Sequence, residues 1–322
     1  MSSIYRALIG PLVEQVRRVT SGDNSVPPAG VGLALGGGFA RGFAHLGVLQ
    51  VLEENQIPIS CIAGTSVGSI LAAAYASGVP LPRIASVCRN IHFRDFGRWR
   101  LTRLGLASND RMADLIQRCF NALTFEELLI PAAVVATDLC TGDPFVFTRG
   151  DLVQAIRASC AFPGLFEPVE VDGRCLADGG LVAPVPTQAV AAMGASCVVG
   201  VVVCSNNDGT APTNMFQVFS RALSAAQKNQ TQSWRTAADI MLEPDVQSID
   251  WDHFHRADEA IAAGVAAARN ALPRLRELLG LSASPKLEAR EQAPGRAEWK
   301  EKPATERPAA SAPLLDRLVR HS

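Results

Sequence analysis

The chain has 322 residues, 48% of them hydrophobic, enough for one large core or two smaller ones. A net charge of −1 argues against nucleic acid as a partner and against strong attraction to anionic membranes. The eight cysteines (61, 88, 119, 140, 160, 175, 197 and 204) form no Cys-x-x-Cys pair, and several sit in apolar runs. That distribution fits buried free thiols in a reducing, cytoplasmic location, not a disulfide framework or a zinc site.

Residues 3–20 read as one or two short amphipathic helices. Gly10-Pro11 breaks the run, with Pro11 placed to open the second piece. Ile4, Leu8, Leu12, Val16 and Val19 fall roughly on one face. The apolar stretch from Ala7 to Val13 lacks a basic cluster before it and meets Glu14, Arg17 and Arg18 after it, so it does not read as a signal peptide. These helices can pack on the rest of the protein or lie on a bilayer as a peripheral contact at the inner face. Sparse positive charge favours packing. No apolar run approaches the ~20 residues of a spanning helix.

Ser21–Gly30, with Pro27-Pro28, reads as a linker, so residues 1–30 form an N-terminal segment. From Val31 to about Leu281, apolar strands alternate with helical patterns. Expected strands are Val31–Leu35, Ile57–Ala63, Ala132–Thr137, Phe145–Phe147 and Cys197–Cys204. Expected helices are Ala40–Asn55, Ser66–Ser77, Asp151–Ser159, Pro186–Met193, Asn214–Asp239 and Ala257–Leu279. The alternation predicts an α/β fold, and the unbroken apolar strands predict a mainly parallel central sheet covered by helices on both faces. From Ser282 the character changes: five prolines mix with Lys, Arg and Glu up to Pro313. Residues 282–322 are expected to be a disordered tail.

Two glycine-rich junctions carry the chemical signals. Gly64-Thr65-Ser66-Val67-Gly68 falls where an expected strand meets an expected helix. A serine at such a turn stands exposed at a helix N-terminus, where N–H groups and the dipole favour negative charge. Gly36-Gly37-Gly38-Phe39-Ala40-Arg41-Gly42 lies at a second strand-to-helix junction. It fails the dinucleotide pattern, because Arg41 stands where Gly-x-Gly-x-x-Gly needs its last glycine. It also lacks the Gly-Lys-Ser/Thr ending of a phosphate-binding loop. Clustered N–H donors beside a nucleophile would instead make an oxyanion hole; the plain alternative is a tight packing turn.

A serine hydroxyl needs a base. None of the five histidines lies in a Gly- or Pro-marked loop after a strand. His45, one turn into the helix after the glycine loop, is the strongest among them. Asp178, in Ala177-Asp178-Gly179-Gly180, is the better candidate. Asp172-Gly173 already reads as a hairpin turn between Val169-Glu170-Val171 and Arg174-Cys175-Leu176. Asp178 follows too closely for a second hairpin, which leaves it as an aspartate at a strand end.

Four motifs in this order resemble the patatin-like phospholipases, especially the bacterial members and the catalytic domain of neuropathy target esterase. They are the loop 36–42, the elbow 64–68, the segment Arg157–Val169 and Asp178-Gly179-Gly180. The resemblance spans about Val31 to Leu279. It implies a patatin-like three-layer fold and a catalytic domain over 31–281. It further implies a Ser66–Asp178 dyad, an oxyanion hole from Gly36, Gly37 and Gly38, and an Arg41 that braces the loop or contacts a head group. The implied activity is serine esterase hydrolysis of a lipid or other acyl ester, with no cofactor, no metal and no nucleic acid. Acyl transfer would use the same residues. A catalytically idle lipid-binding module would not need Ser66 and Asp178, and both are present. An aspartate with the ordinary pKa near 3.9 is a poor base for serine, so oxyanion donors would have to supply much of the barrier reduction.

Overall fold

Val31–Leu35 holds no polar residue, and it forms β1 with every residue buried. The structure, a computed structural model, describes residues 30–100, 102–203, 211–213, 215–229 and 233–281. The expected N-terminal helices, most of the linker and the Pro-rich tail lie outside these residues. After β1 come α1 (Ala44–Glu54), β2 (Ile59–Thr65), α2 (Val67–Ala76), α3 (Leu81–Asn90) and a small hairpin of β3 (Arg98–Trp99) and β4 (Ala107–Ser108). Then follow α4 (Asp110–Cys119), β5 (Ala132–Asp138), β6 (Pro144–Phe147), α5 (Leu152–Ser159), β7 (Val169–Val171), β8 (Arg174–Asp178) and α6 (Thr187–Ala192). The last are β9 (Cys197–Val201), α7 (Met215–Asn229), α8 (Ser233–Thr236), β10 (Ile240–Leu242) and α9 (Ala257–Leu278).

The main sheet runs β10-β9-β1-β2-β5-β8-β7, with β6 also on β5. The β10/β9, β9/β1, β1/β2 and β2/β5 pairs are parallel. The β5/β6, β5/β8 and β7/β8 pairs are antiparallel. Period-2 alternation splits β1 between two cores. Val31, Leu33 and Leu35 enter the larger one, with residues of α1, α2, α5 and α9. Ala34 enters a smaller one with Ala189 and Val190 of α6. Helices therefore cover both faces, giving the expected three layers.

β5 is the strand that organises the site. Its residues Val134 and Val135 pair with β2 and with β6. Its residues Ala136 and Thr137 pair with β6 and with β8. A strand has two edges, so β2 and β8 share one edge end to end, opposite β6. Thr65 faces Val135 and Asp178 faces Ala136. The two strand ends meet one register step apart.

Several boundaries differ from expectation. The helix expected from Ala40 opens as a 3-10 turn over Phe39–Phe43 and becomes α-helical only at Ala44. The Asn214–Asp239 helix is two pieces, α7 and α8. β9 ends at Val201. Helices α3 and α4 were not anticipated. Each fully buries two residues, Ile84 with Cys88 and Met112 with Ile116, and packs half-buried Leu81, Ala85 and Val87, or Ala113, Leu115 and Cys119, against the same core. The Asp172-Gly173 hairpin is present, with φ of +50° and +75° at its two central residues, the left-handed pair that a type I′ turn requires. Asp151 caps α5, accepting from the Gln154 N–H at 2.9 Å.

Candidate active site

Ser66 sits between β2 and α2 with φ +54° and ψ −128°, a conformation that glycine tolerates and other residues rarely adopt. Neighbours hold it there. Its N–H donates to Ser159 Oγ at 2.9 Å, and that hydroxyl donates to the Val135 carbonyl at 2.6 Å. Its carbonyl accepts from the Ser69 N–H at 2.8 Å and the Ser69 hydroxyl at 2.6 Å. Glycine is required on both sides. A Cβ on Gly64 would stand 2.4 Å from the Gly68 carbonyl oxygen, and one on Gly68 only 2.2 Å from that of Leu35. The elbow motif is thus a packing requirement as well as a backbone one.

Asp178 ends β8 and is buried. Its Oδ1 accepts from the Gly180 N–H at 2.8 Å, and its own carbonyl accepts from Thr137 Oγ1 at 2.8 Å. Burial pushes its carboxyl up to about 6, against the pull of the Ser66 hydroxyl and the Gly180 N–H. Strand pairing thus brings the Ser66 turn and Asp178 to neighbouring registers of β5, and the Asp178 carboxyl has a pKa well above the usual carboxylate range. This placement removes much of the objection that an aspartate is too weak a base.

The glycine loop needs a correction. The Gly36 N–H donates to the Val201 carbonyl and the Gly37 N–H to the Pro184 carbonyl, each at 3.1 Å. Those two donors are turned into the scaffold. The Gly38 N–H makes no hydrogen bond among the described residues, so the donor available from the three glycines is Gly38's. Gly37 contributes by lacking a side chain: a Cβ there would lie 3.2 Å from Ser66 Cβ and 3.9 Å from Ser66 Oγ. Gly37→Ala should therefore crowd the Ser66 side chain and, with Ser66 as the proposed nucleophile, lower turnover about 10²-fold at a nearly unchanged melting temperature. Paired kinetics and thermal melts check this. Gly38→Ala makes a poorer probe, because its Cβ would stand 2.9 Å from the Val203 carbonyl oxygen and closer still to that side chain.

His45 is fully buried, and its Nε2 is 2.8 Å from the Gly36 carbonyl oxygen. Burial holds its pKa down at about 4, so the ring is neutral near pH 7 and Nε2–H is the donor. It braces the loop from below. Arg41 lies in the 3-10 turn after the glycines, half-buried, with its Nε enclosed.

Ser66 lines a small apolar pocket walled by Phe39, Phe93, Phe96, Phe166, Phe254 and Ile70, among others. A second small apolar pocket shares Val67, Ile70 and Phe96 with the first. Arg41 lines neither. Sequence reasoning placed Ser159 and Phe166 in the Arg157–Val169 motif and Phe39 in the glycine loop but gave none of them a role, and it missed the other aromatic walls. The remaining walls, Phe93, Phe96 and Phe254, come from stretches that no motif marks.

Residues 33–191 match the family described as patatin-like phospholipase. The chain carries a patatin-like phospholipase domain. An uncharacterized NTE family protein of Mycobacterium tuberculosis is 38% identical over 184 residues, covering 56% of this chain and 51% of the relative. The lysophospholipase NTE1 of Mycosarcoma maydis is 32% identical over 225 residues, covering 67% of this chain and 12% of the relative. This patatin-like chain thus spans about half the length of its mycobacterial relatives and far less of the fungal one. Among solved structures, VipD from Legionella pneumophila aligns with a TM-score of 0.52 at 14% identity, over 77% of this chain and 67% of that one, a likeness of fold. No helix among the described residues is long and apolar enough to cross a membrane.

Proposed function

We propose that the chain is a serine lipid acyl hydrolase, an esterase of the phospholipase or lysophospholipase type. The observation that carries this reading is the apposition of Ser66 and Asp178 at the wall of an apolar cavity. Asp178 takes the Ser66 proton as Oγ attacks an ester carbonyl, and the N–H of Gly38, with a neighbouring donor, holds the oxyanion. The alcohol leaves with the proton from Asp178. Water, deprotonated by Asp178, then releases the fatty acid and restores the serine. The two adjoining cavities supply apolar walls for an acyl chain. Arg41 braces the loop. The seven cysteines among the described residues are free thiols, in keeping with a reducing, cytoplasmic location.

A lipid panel assayed with wild type and Ser66→Ala, with products identified by mass, tests the proposal. Wild type should release free fatty acid and should be labelled by a fluorophosphonate probe; Ser66→Ala should do neither. Acyl groups appearing only on an added alcohol would make the protein a transferase. Equal labelling of both proteins would overturn the nucleophile.

A further inference from the structure

We propose that the β3–β4 hairpin is a membrane-docking element that seats the mouth of the cavity on a bilayer containing anionic glycerophospholipids. Arg94, Arg98, Trp99, Arg100, Arg103 and Leu104 are all exposed. Trp99 is 69% exposed and Leu104 68%, the extremes for large apolar side chains in this part of the protein. Arg94, Arg98, Arg100 and Arg103 make no ion pair among the described residues. Of the acids nearby, three are engaged or set back, while Asp250 and Asp252 flank the Trp251 whose ring meets Phe93. Asp95 accepts from the His92 N–H, and Asp110 pairs with Arg157. Glu167, half-buried, has its backbone against Gly105. The overall charge of −1 conceals this basic patch.

The hairpin is joined to the cavity wall. The Phe93 ring lies 5.8 Å from that of Trp99 and 6.0 Å from that of Phe166, and both phenylalanines line the cavity. The Leu106 and Ala107 N–H groups both donate to the Leu165 carbonyl, and Ala107 bridges to Phe166. On the other side of this segment, Phe219 of α7, half exposed, packs over Gly164. Exposed apolar side chains interleaved in sequence with guanidiniums suit the headgroup region. Trp and Leu enter the acyl boundary, the arginine stems follow, and their heads meet lipid phosphate. A basic patch alone would also suit RNA. The apolar tips and the adjoining apolar cavity favour lipid.

Docking rests on the hydrolase reading only for its purpose, so the test separates the two. The full chain is sedimented with vesicles of phosphatidylcholine alone and of phosphatidylcholine with about a third phosphatidylglycerol. Wild type and Ser66→Ala should bind the anionic vesicles equally and the neutral ones weakly. Joint substitution Arg98→Glu, Arg100→Glu and Arg103→Glu should lower anionic-vesicle partitioning at least about ten-fold, since each basic residue near such a surface contributes about five-fold. Glutamine at the same three positions should give an intermediate loss. Both variants should keep the wild-type melting temperature and full turnover on a monomeric soluble ester. Retained partitioning in the folded glutamate variant, equal wild-type binding to both vesicles, or RNA binding without vesicle binding would overturn the proposal. Vesicle binding by a protein that hydrolyses no ester would leave docking standing and remove the hydrolase.

Discussion

Ser66→Gly should abolish turnover and at the same time make the protein more stable than Ser66→Ala. Both substitutions remove the proposed nucleophile, a loss on the order of 10⁶-fold where a serine protease loses its catalytic serine. They differ in the backbone. At φ +54° and ψ −128°, alanine keeps the strain of the elbow and glycine relieves it. Such strain costs about 1–3 kcal/mol, and glycine gives back roughly 0.5–1 kcal/mol through the freedom of the unfolded chain. A net advantage of about 1 kcal/mol for Ser66→Gly over Ser66→Ala should appear in urea titrations. Equal stability of the two would mean that the turn carries no strain.

Asp178→Asn should lower turnover about 10⁴-fold, the upper range for losing a general base, while the fold survives. Its stability should depend on pH in a defined way. The Asp178 carboxyl is raised from 3.8 to about 6 by burial. Between those values the folded protein holds a proton that the unfolded chain has released, so stability falls as pH rises. The cost is absent below 3.8 and full above 6, at roughly 3 kcal/mol. His45 works in the opposite sense. Burial lowers it from 6.5 to about 4, so the unfolded chain takes the proton first and stability is lost as pH falls through that window. In the wild type these two slopes offset each other between about pH 4 and 6. Asp178→Asn should therefore melt higher than wild type at pH 8 and lose that margin on acidification. His45→Gln should keep most activity and stabilise relative to wild type as pH falls. Melting curves for Asp178→Asn that run parallel to wild type from pH 4 to 8 would contradict the buried-charge account. In wild type, turnover should fall off below about pH 6, where Asp178 takes up its proton.

The local parts of this site were legible in the sequence. Gly64 and Gly68 mark the elbow because a Cβ at either would strike backbone, and that demand is written into the pentapeptide itself. The long buried strands announced themselves as apolar runs. What could not be read depends on distant pairing. Nothing near Gly36 or Gly37 says that their N–H groups face Val201 and Pro184. Asp178 could be chosen as a strand-end aspartate, but its position beyond Thr65 comes from the way β5 pairs along both edges. Helices α3 and α4 were legible but passed over: Leu81, Ile84, Ala85 and Cys88, and Met112, Leu115, Ile116 and Cys119, each fall at helical spacing on one core-facing stripe. The arginines of the β3–β4 hairpin were averaged away in the total charge.

On the proposed mechanism, the shared edge of β5 makes turnover a gauge of strand alignment. Slide β8 by one residue against β5 and Ala177 or Gly179 arrives opposite Ala136, while every side chain of β8 changes face. No such slip leaves a carboxylate beside Ser66. A one-residue insertion in β8 after the Asp172-Gly173 turn would thus silence the protein without touching either reacting group. Selection for turnover alone would then recover variants that restore the spacing, and so serve as a genetic readout of sheet geometry.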